Sequence, residues 1–202
     1  MPRLFTAIEI PRSIADRLSM LRAGLYGARW IDPEYYHLTL RFIGDVDGAT
    51  ARDFTEALGE LVAAPFTLKL NGLDSFGGKK PRTIFAGVAP SPELEALQHA
   101  HDGAARVAGL APERRKFTPH VTIARLRGTR PDAVAAYLQN AGLISETFTV
   151  KRFVLYSSRN SVGGGPYVVE AAYDLDDEEV DYGDDFYGGY EFDHPPLFGI
   201  DP

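Results

Sequence analysis

Two short stretches of the chain carry the same pattern. "YHLTL" covers residues 36–40 and "PHVTI" covers residues 119–123. Each reads His-x-Thr with an aliphatic residue on either side of the Thr, and the two lie 83 residues apart. In a strand, residues i and i+2 share a face. His37 and Thr39 therefore point one way, while Leu38 and Leu40 point into a core. His120 and Thr122 repeat this over Val121 and Ile123. The chain must fold so that both strands keep one face buried and the other available, which favours a single site built from two parts.

The flanking segments place both motifs in a mixed architecture. "RLFTAIEI" alternates and then meets Pro11, so it reads as a strand. "SIADRLSMLRAGL" has helical spacing at Ile14, Leu18, Leu21 and Leu25, with Ser13 as its cap. Residues 35–43 form the first motif strand, and "GATARDFTEALGELVA" a second helix. "FTLKLNGLDSF" and "RTIFAGVA" are strands joined by "GGKKP". Ser91, Pro92 and Glu93 open a third helix as cap, first residue and first-turn acid. Residues 118–126 form the second motif strand, "RPDAVAAYLQNAG" a fourth helix, and "FTVKRFVLYSS" and "YVVEAAYDL" the last strands. After the first strand, the order helix, motif strand, helix, strand, strand occurs twice. It predicts α+β lobes with antiparallel sheets and a two-fold pseudo-repeat.

Charge divides the chain unevenly. The formal net charge is −7, but residues 176–202 hold ten Asp and Glu and no Lys or Arg. Residues 1–175 keep 18 acids against all 21 bases, a mildly basic body that tolerates a phosphate-bearing partner. The segment 176–202 is rich in Asp, Gly and aromatics and is expected to be flexible or loosely docked, so the domain is placed at 1–175. Cysteine is absent, which removes disulfides, thiol catalysis and cysteine-ligated metal. The start does not read as a signal peptide, and no apolar run reaches the roughly 18 residues of a membrane span. The expectation is a soluble, cytoplasmic monomer, without a membrane partner, cofactor or metal. "HAH" (His99, His101) looks metal-like, but i and i+2 do not share a helix face, so a solvated face is expected there.

The motif inventory suits phosphodiester chemistry. Two facing imidazoles supply an acid and a base near neutrality, and two hydroxyls with a cation hold charged oxygens. The competing explanation is a pair of half-buried histidines hydrogen-bonded to nearby chain, with threonines chosen for strand propensity. Trp30 and Tyr35 or Tyr36 are candidates to stack a base, with core packing as the alternative. Ser157 and Ser158 are placed in the cleft or at a plain strand end. "GGKK" and "RRK" either meet an RNA backbone or only solvate.

"WIDPEYYHLTLRFIGDV" and "RRKFTPHVTIARLR" resemble the two signatures of the RNA 2′,3′-cyclic phosphodiesterases, also called 2′-5′ RNA ligases, of the two-histidine phosphoesterase superfamily. The likeness runs over about residues 3–175 and includes "LFTAIEIP", "FGGKKPRTIFAGV" and "LYSS". It implies a bilobal α+β fold: two mainly antiparallel sheets with outer helices, related by a pseudo-two-fold, and a cleft between them. It implies His37 as proton donor and His120 as proton acceptor, with Thr39 and Thr122 on the phosphoryl oxygens. Arg125 matches an arginine near the second signature, yet its parity is opposite to that of His120 and Thr122. It reaches the phosphate only if the strand bulges or ends before it. Arg41 has the right parity but lies where the family varies. Phe42 and Tyr36 complete the expected substrate contacts, and "YYH" departs from the commoner small or polar residues before the first motif. The reaction implied is hydrolysis of RNA 2′,3′-cyclic ends, tRNA-like fragments included, to 2′-phosphomonoesters without metal, with ligation as the reverse. Small cyclic or 2′-5′-linked nucleotides are the alternative substrates, and a non-catalytic RNA-end binder is the alternative function.

Overall fold

The computed structural model describes residues 3–22, 24–158 and 165–176. Nine strands and four α-helices occur among these residues. The strands are β1 (Arg3–Glu9), β2 (Ala28–Trp30), β3 (His37–Asp45), β4 (Phe66–Phe76), β5 (Thr83–Val88), β6 (His120–Leu126), β7 (Ser145–Val150), β8 (Arg152–Ser158) and β9 (Val168–Asp174). The helices are α1 (Arg12–Ser19), α2 (Gly48–Gly59), α3 (Pro92–Val107) and α4 (Pro131–Asn140). The expected acidic segment lies outside the described residues from position 177 onward.

All strand pairing is antiparallel, in the order β7-β4-β5-β6-β3-β1-β8-β9, with the short β2 on β6. The two expected sheets are two halves of this array. They meet at β3 and β6 through one residue pair, Leu38 with Val121. Both side chains are fully buried. On either side of that pair the halves diverge, which opens the cleft. The seam is also the pseudo-two-fold: β3, β1, β8 and β9 on one side match β6, β5, β4 and β7 on the other.

The halves of the sheet are not halves of the sequence. After α2 the chain crosses the seam, so β4 pairs with β5 and β7. It crosses back at Lys151. The single strand expected over "FTVKRFVLYSS" is therefore two strands, with β7 on β4 and β8 on β1. Periodicity does not show this break, because Phe148, Val150, Phe153 and Leu155 are all buried and only the partner strand changes. In the turn between β4 and β5, Gly77 adopts φ +112°; a Cβ there would lie 2.2 Å from the Lys80 carbonyl oxygen, so only glycine fits.

The helices cover one face of the array. The α3 cap is as expected: Ser91 Oγ accepts from the Leu94 amide at 3.1 Å, and Glu93 and Glu95 lie in the first turn. Helix α1 instead begins at Arg12 after Pro11, with no side-chain cap, so Ser13 does not cap it. Strand β2 has no counterpart in the sequence reading. Three residues are too short to show a period, and β2 exists because Ala28 and Trp30 face Leu126 and Ala124 of β6.

Candidate active site

The seam register arranges the motifs. Because Leu38 faces Val121 in an antiparallel pair, His37 stands beside Thr122 and Thr39 beside His120. Each imidazole thus has the hydroxyl of the other motif as its cross-strand neighbour. Diagonal neighbours in a regular pair are about 7–8 Å apart, so the two rings stand on the same stretch of the seam. Helices cover the opposite face, leaving His37, Thr39, His120 and Thr122 only half-buried.

The two rings are held alike. His37 Nδ1 lies 2.8 Å from the Tyr35 carbonyl oxygen, and His120 Nδ1 lies 2.7 Å from that of Thr118. A carbonyl only accepts, so Nδ1 carries the proton in both rings. Nε2 is left as the nitrogen that accepts or gives a proton at substrate. Each ring also rests on an aromatic pair from equivalent strands. Phe5 and Tyr156 lie 5.0 and 6.0 Å from His37, and Phe85 and Phe76 lie 5.3 and 4.9 Å from His120. Tyr167 adds an edge contact to His37 at 5.2 Å. Burial lowers both imidazoles. His37 falls to about 4, with the charges of His120 and Arg125 acting in the same direction, and His120 is lowered as well. These aromatic residues were missed in the sequence. The signal for Phe5 and Phe85 was present, since both sit mid-strand in the pseudo-equivalent segments "LFTAI" and "TIFAG".

A bulge settles the position of Arg125. In the β5–β6 pair, Ile84 faces Ala124 but Phe85 faces Thr122, which leaves Ile123 unpaired. Ile123 and Ala124 are both buried, the period shifts by one, and Arg125 emerges exposed on the face of His120 and Thr122. Its Nη1 donates to Thr83 Oγ1 at 3.4 Å. The first motif does the same. Ala7 faces Thr39 and Thr6 faces Arg41, so Leu40 is the unpaired residue. Phe42 thereby takes the position equivalent to Arg125 and is 43% exposed.

The same bulge shifts Arg41: it is turned from the face of His37 and Thr39 toward the helix layer and is only 5% exposed, yet it still lines the cavity beside His120. Nη2 donates to the Ala111 carbonyl at 2.5 Å, and Nε lies 3.3 Å from Asp102 Oδ1 as an ion pair, while Nε and Nη1 make no hydrogen bond. Three assignments fail for physical reasons. Tyr36 is a core residue, 3% exposed, while Tyr35 faces the cleft side through an edge contact with Tyr167. Trp30 packs on Tyr137 of α4 at 5.8 Å, on the helix side. Ser157 is fully buried and donates to Glu170, and its neighbour Tyr156 takes the cleft face instead.

A cavity of about 500 Å³ adjoins His120, within the range of small-ligand sites. Thr39, Phe42, Phe76, Thr83, His120 and Arg125 line one side, and the segment from Glu113 to Thr118 supplies the other. Arg115 and Lys116 of "RRK" belong to that wall, whereas Lys79 and Lys80 of "GGKK" are exposed in the β4–β5 turn. His101 is fully buried against Phe153, with Nδ1 2.8 Å from the Leu97 carbonyl oxygen. It is not on a solvated face as expected. Among the described residues, no group of three or more His, Asp or Glu is placed to hold a metal, and no helix is long and apolar enough to cross a membrane.

This arrangement is that of a two-histidine phosphoesterase, and comparison with known proteins agrees. The family model of the 2′-5′ RNA ligase superfamily matches residues 10–161, and the chain belongs to that superfamily. The RNA 2′,3′-cyclic phosphodiesterase of Geobacillus stearothermophilus is 37% identical over 131 residues, which is 63% of this chain and 41% of that protein. The match therefore spans less than half of that relative. The protein of the same name from Bacillus subtilis is 29% identical over 162 residues, covering 77% of this chain and 87% of the relative. Escherichia coli LigT complexed with 3′-AMP superimposes with a TM-score of 0.70 at 24% identity, covering 87% of this chain and 99% of that one. This last likeness concerns the fold.

Proposed function

We propose that the protein is an RNA 2′,3′-cyclic phosphodiesterase that yields a 2′-phosphomonoester. The observation that supports this is the seam: Leu38 pairs with Val121, which brings the two motifs side by side, and both imidazoles are anchored through Nδ1. Thr39, Thr122 and Arg125 hold the phosphoryl oxygens, where positioning and charge stabilisation supply most of the rate. Neutral His120 takes a proton from water through Nε2 as the water oxygen bonds to phosphorus. The P–O3′ bond breaks, and protonated His37 gives its Nε2 proton to the departing O3′. The product carries a 2′-phosphate and a free 3′-hydroxyl. Both proton transfers are made by side chains, so the scheme uses no metal. Ligation is the same path with an RNA 5′-hydroxyl in place of water: its oxygen bonds to phosphorus, the P–O3′ bond breaks, and a 2′-5′ linkage with a free 3′-hydroxyl results. Phe42 and Phe76 offer exposed rings to the terminal base. The enzyme is proposed to act on 3′ ends of RNA as a cytoplasmic monomer.

The cavity volume suits a single nucleotide, and this favours a small cyclic nucleotide as the second reading. An oligonucleotide ending in a 2′,3′-cyclic phosphate and a cyclic mononucleotide, each incubated with protein in EDTA, separate the two. Preferred turnover of the oligonucleotide to a 2′-phosphate is expected, and it should fall by about 100- to 10,000-fold in His37→Ala or His120→Ala. A 3′-phosphate product, or strict dependence on a divalent ion, rejects the assignment.

A further inference from the structure

Arg41 is a buried cation that the proposed chemistry does not use. The bulge at Leu40 turns it from the face of His37 and Thr39 to the back wall of the cavity beside His120, and the equivalent place after the second bulge holds Ala124. Arg41 is thus a device of one half only. Its contacts converge on the chain that leads into the second motif. Nη2 donates to the carbonyl of Ala111, and Nη1 lies 4.0 Å from Glu113 Oε2. Glu113 in turn accepts from the Arg115 amide at 3.0 Å and from its guanidinium at 3.2 and 3.3 Å. Asp102 of α3 backs the guanidinium at 3.3 Å and is itself held by Gln98 Nε2 at 2.9 Å. The segment fixed in this way has no regular secondary structure between Leu110 and Pro119. It builds the far wall of the cavity. Its last turn offers the Thr118 carbonyl that anchors His120.

We propose that Arg41 is a positioning residue: it ties the 110–119 segment to the first motif strand and so fixes the cavity wall and the His120 ring relative to His37 and Thr39. One strand then carries both its own half of the site and the clamp on the approach to the other half. A guanidinium suits this task, because one nitrogen donates to a carbonyl while its fixed charge faces two carboxylates. Misplacing a catalytic ring by about 1 Å from a distant change costs up to roughly 100-fold in rate. The consequence for turnover rests on the phosphodiesterase reading, whereas the consequence for the His120 ring does not.

The test compares Arg41→Met and Arg41→Lys with the parent protein in three measurements. These are kinetics on an oligonucleotide ending in a 2′,3′-cyclic phosphate, NMR titration of the His37 and His120 rings, and thermal melting. Arg41→Met is expected to lower kcat by about 10- to 100-fold while KM stays within about threefold. The His120 titration should move down, because the Thr118 carbonyl that favours its charged form is loosened. His37 should move less. The other charged groups about His120 are Arg125 on its own strand, His37 across the seam, and Glu113, Arg115 and Lys116 on the facing cavity wall, and none of them is replaced. Arg41→Lys should recover part of both effects, since an ammonium still reaches one acceptor. A tenfold rise in KM with kcat unchanged would make Arg41 a substrate contact and overturn the proposal. A folded Arg41→Met protein with unchanged His120 titration would overturn it too. If that variant does not fold, Asp102→Asn weakens the same anchor from α3 and is judged by the same two outcomes. If the parent protein does not turn over cyclic phosphates, the functional reading fails by itself, and the NMR comparison still decides the anchor.

Discussion

The two histidines are alike in anchorage but differ in setting. His37 has the extra ring of Tyr167 and the lower value, about 4, so in the empty cleft it is neutral at pH 7. The proposed donor role needs it charged. The ligand supplies the difference, because a phosphate set beside the ring favours the imidazolium. Binding should therefore take up a proton. Calorimetric titration of 2′-AMP at pH 6.5, in buffers of different ionisation enthalpy, is expected to show uptake approaching one proton per site. The uptake should be largely lost in His37→Ala. No uptake would mean that the ring stays neutral and that the donor lies elsewhere.

Strands β3 and β6 owe the facing of Arg41 and Arg125 to one extra residue each, Leu40 and Ile123. A regular strand would place Arg41 on the face of His37 and Arg125 in the core. The bulges at Leu40 and Ile123 turn Arg41 to the back wall of the cavity and Arg125 onto the face of His120. Strands β3 and β6 then pair only at Leu38 and Val121, each fully buried. Truncating Leu38 removes packing at the one bridge between them. Leu38→Ala is expected to cost about 2–5 kcal/mol, seen as a lower denaturation midpoint with unchanged denaturant dependence. A loss below about 1 kcal/mol would show that the helix layer, and not the seam, holds the halves together.

The whole molecule stores acid sensitivity in two histidines that packing desolvates. His37 and His101 both sit near 4, against about 6.5 for an unfolded chain. Between those values the unfolded chain binds more protons, so stability rises with pH through that window and is complete above it. It is lost as pH falls toward 4. Each group contributes up to about 1.4 kcal/mol per pH unit. His101 lies far from the seam in sequence and packs on Phe153. His101→Leu should flatten the pH dependence of stability between pH 4 and 6.5 by about one proton, measured by urea unfolding at several pH values. An unchanged slope would assign the sensitivity to other groups.

Charge acts at the same scale. Residues 177–202 follow directly on Asp176 and add nine acids and six aromatic rings. The strand before them ends in register with the site: Asp174 pairs with Arg152, which meets Glu9, which pairs with His37. Three strand spacings put that end about 14 Å from His37. Removing residues 177–202 is expected to lower KM for RNA at low salt, with the gap closing as salt screens the charges. An unchanged KM at low salt would leave the segment a solubilising role only.

The sequence by itself determined that there are two motif strands, which of their faces is buried, and that two imidazoles and two hydroxyls stand on the other. It also carried the cap at Ser91 and the family. Local periodicity suffices for these, because each depends on residues within a few positions of one another. Partners and phase belong to the tertiary structure alone. The split at Lys151 follows from which strand lies alongside, and no pattern in "FTVKRFVLYSS" changes there. The exchange of Arg41 for Arg125 follows from bulges, which are defined by the opposite strand and leave no mark in a single run of residues. Tyr36, Trp30 and Ser157 were placed by chemistry that suits a cleft. The packing of α4 and β9 took Trp30 and Ser157 to the other face, and the core took Tyr36, because a residue's side of the sheet is decided by the register of its neighbours.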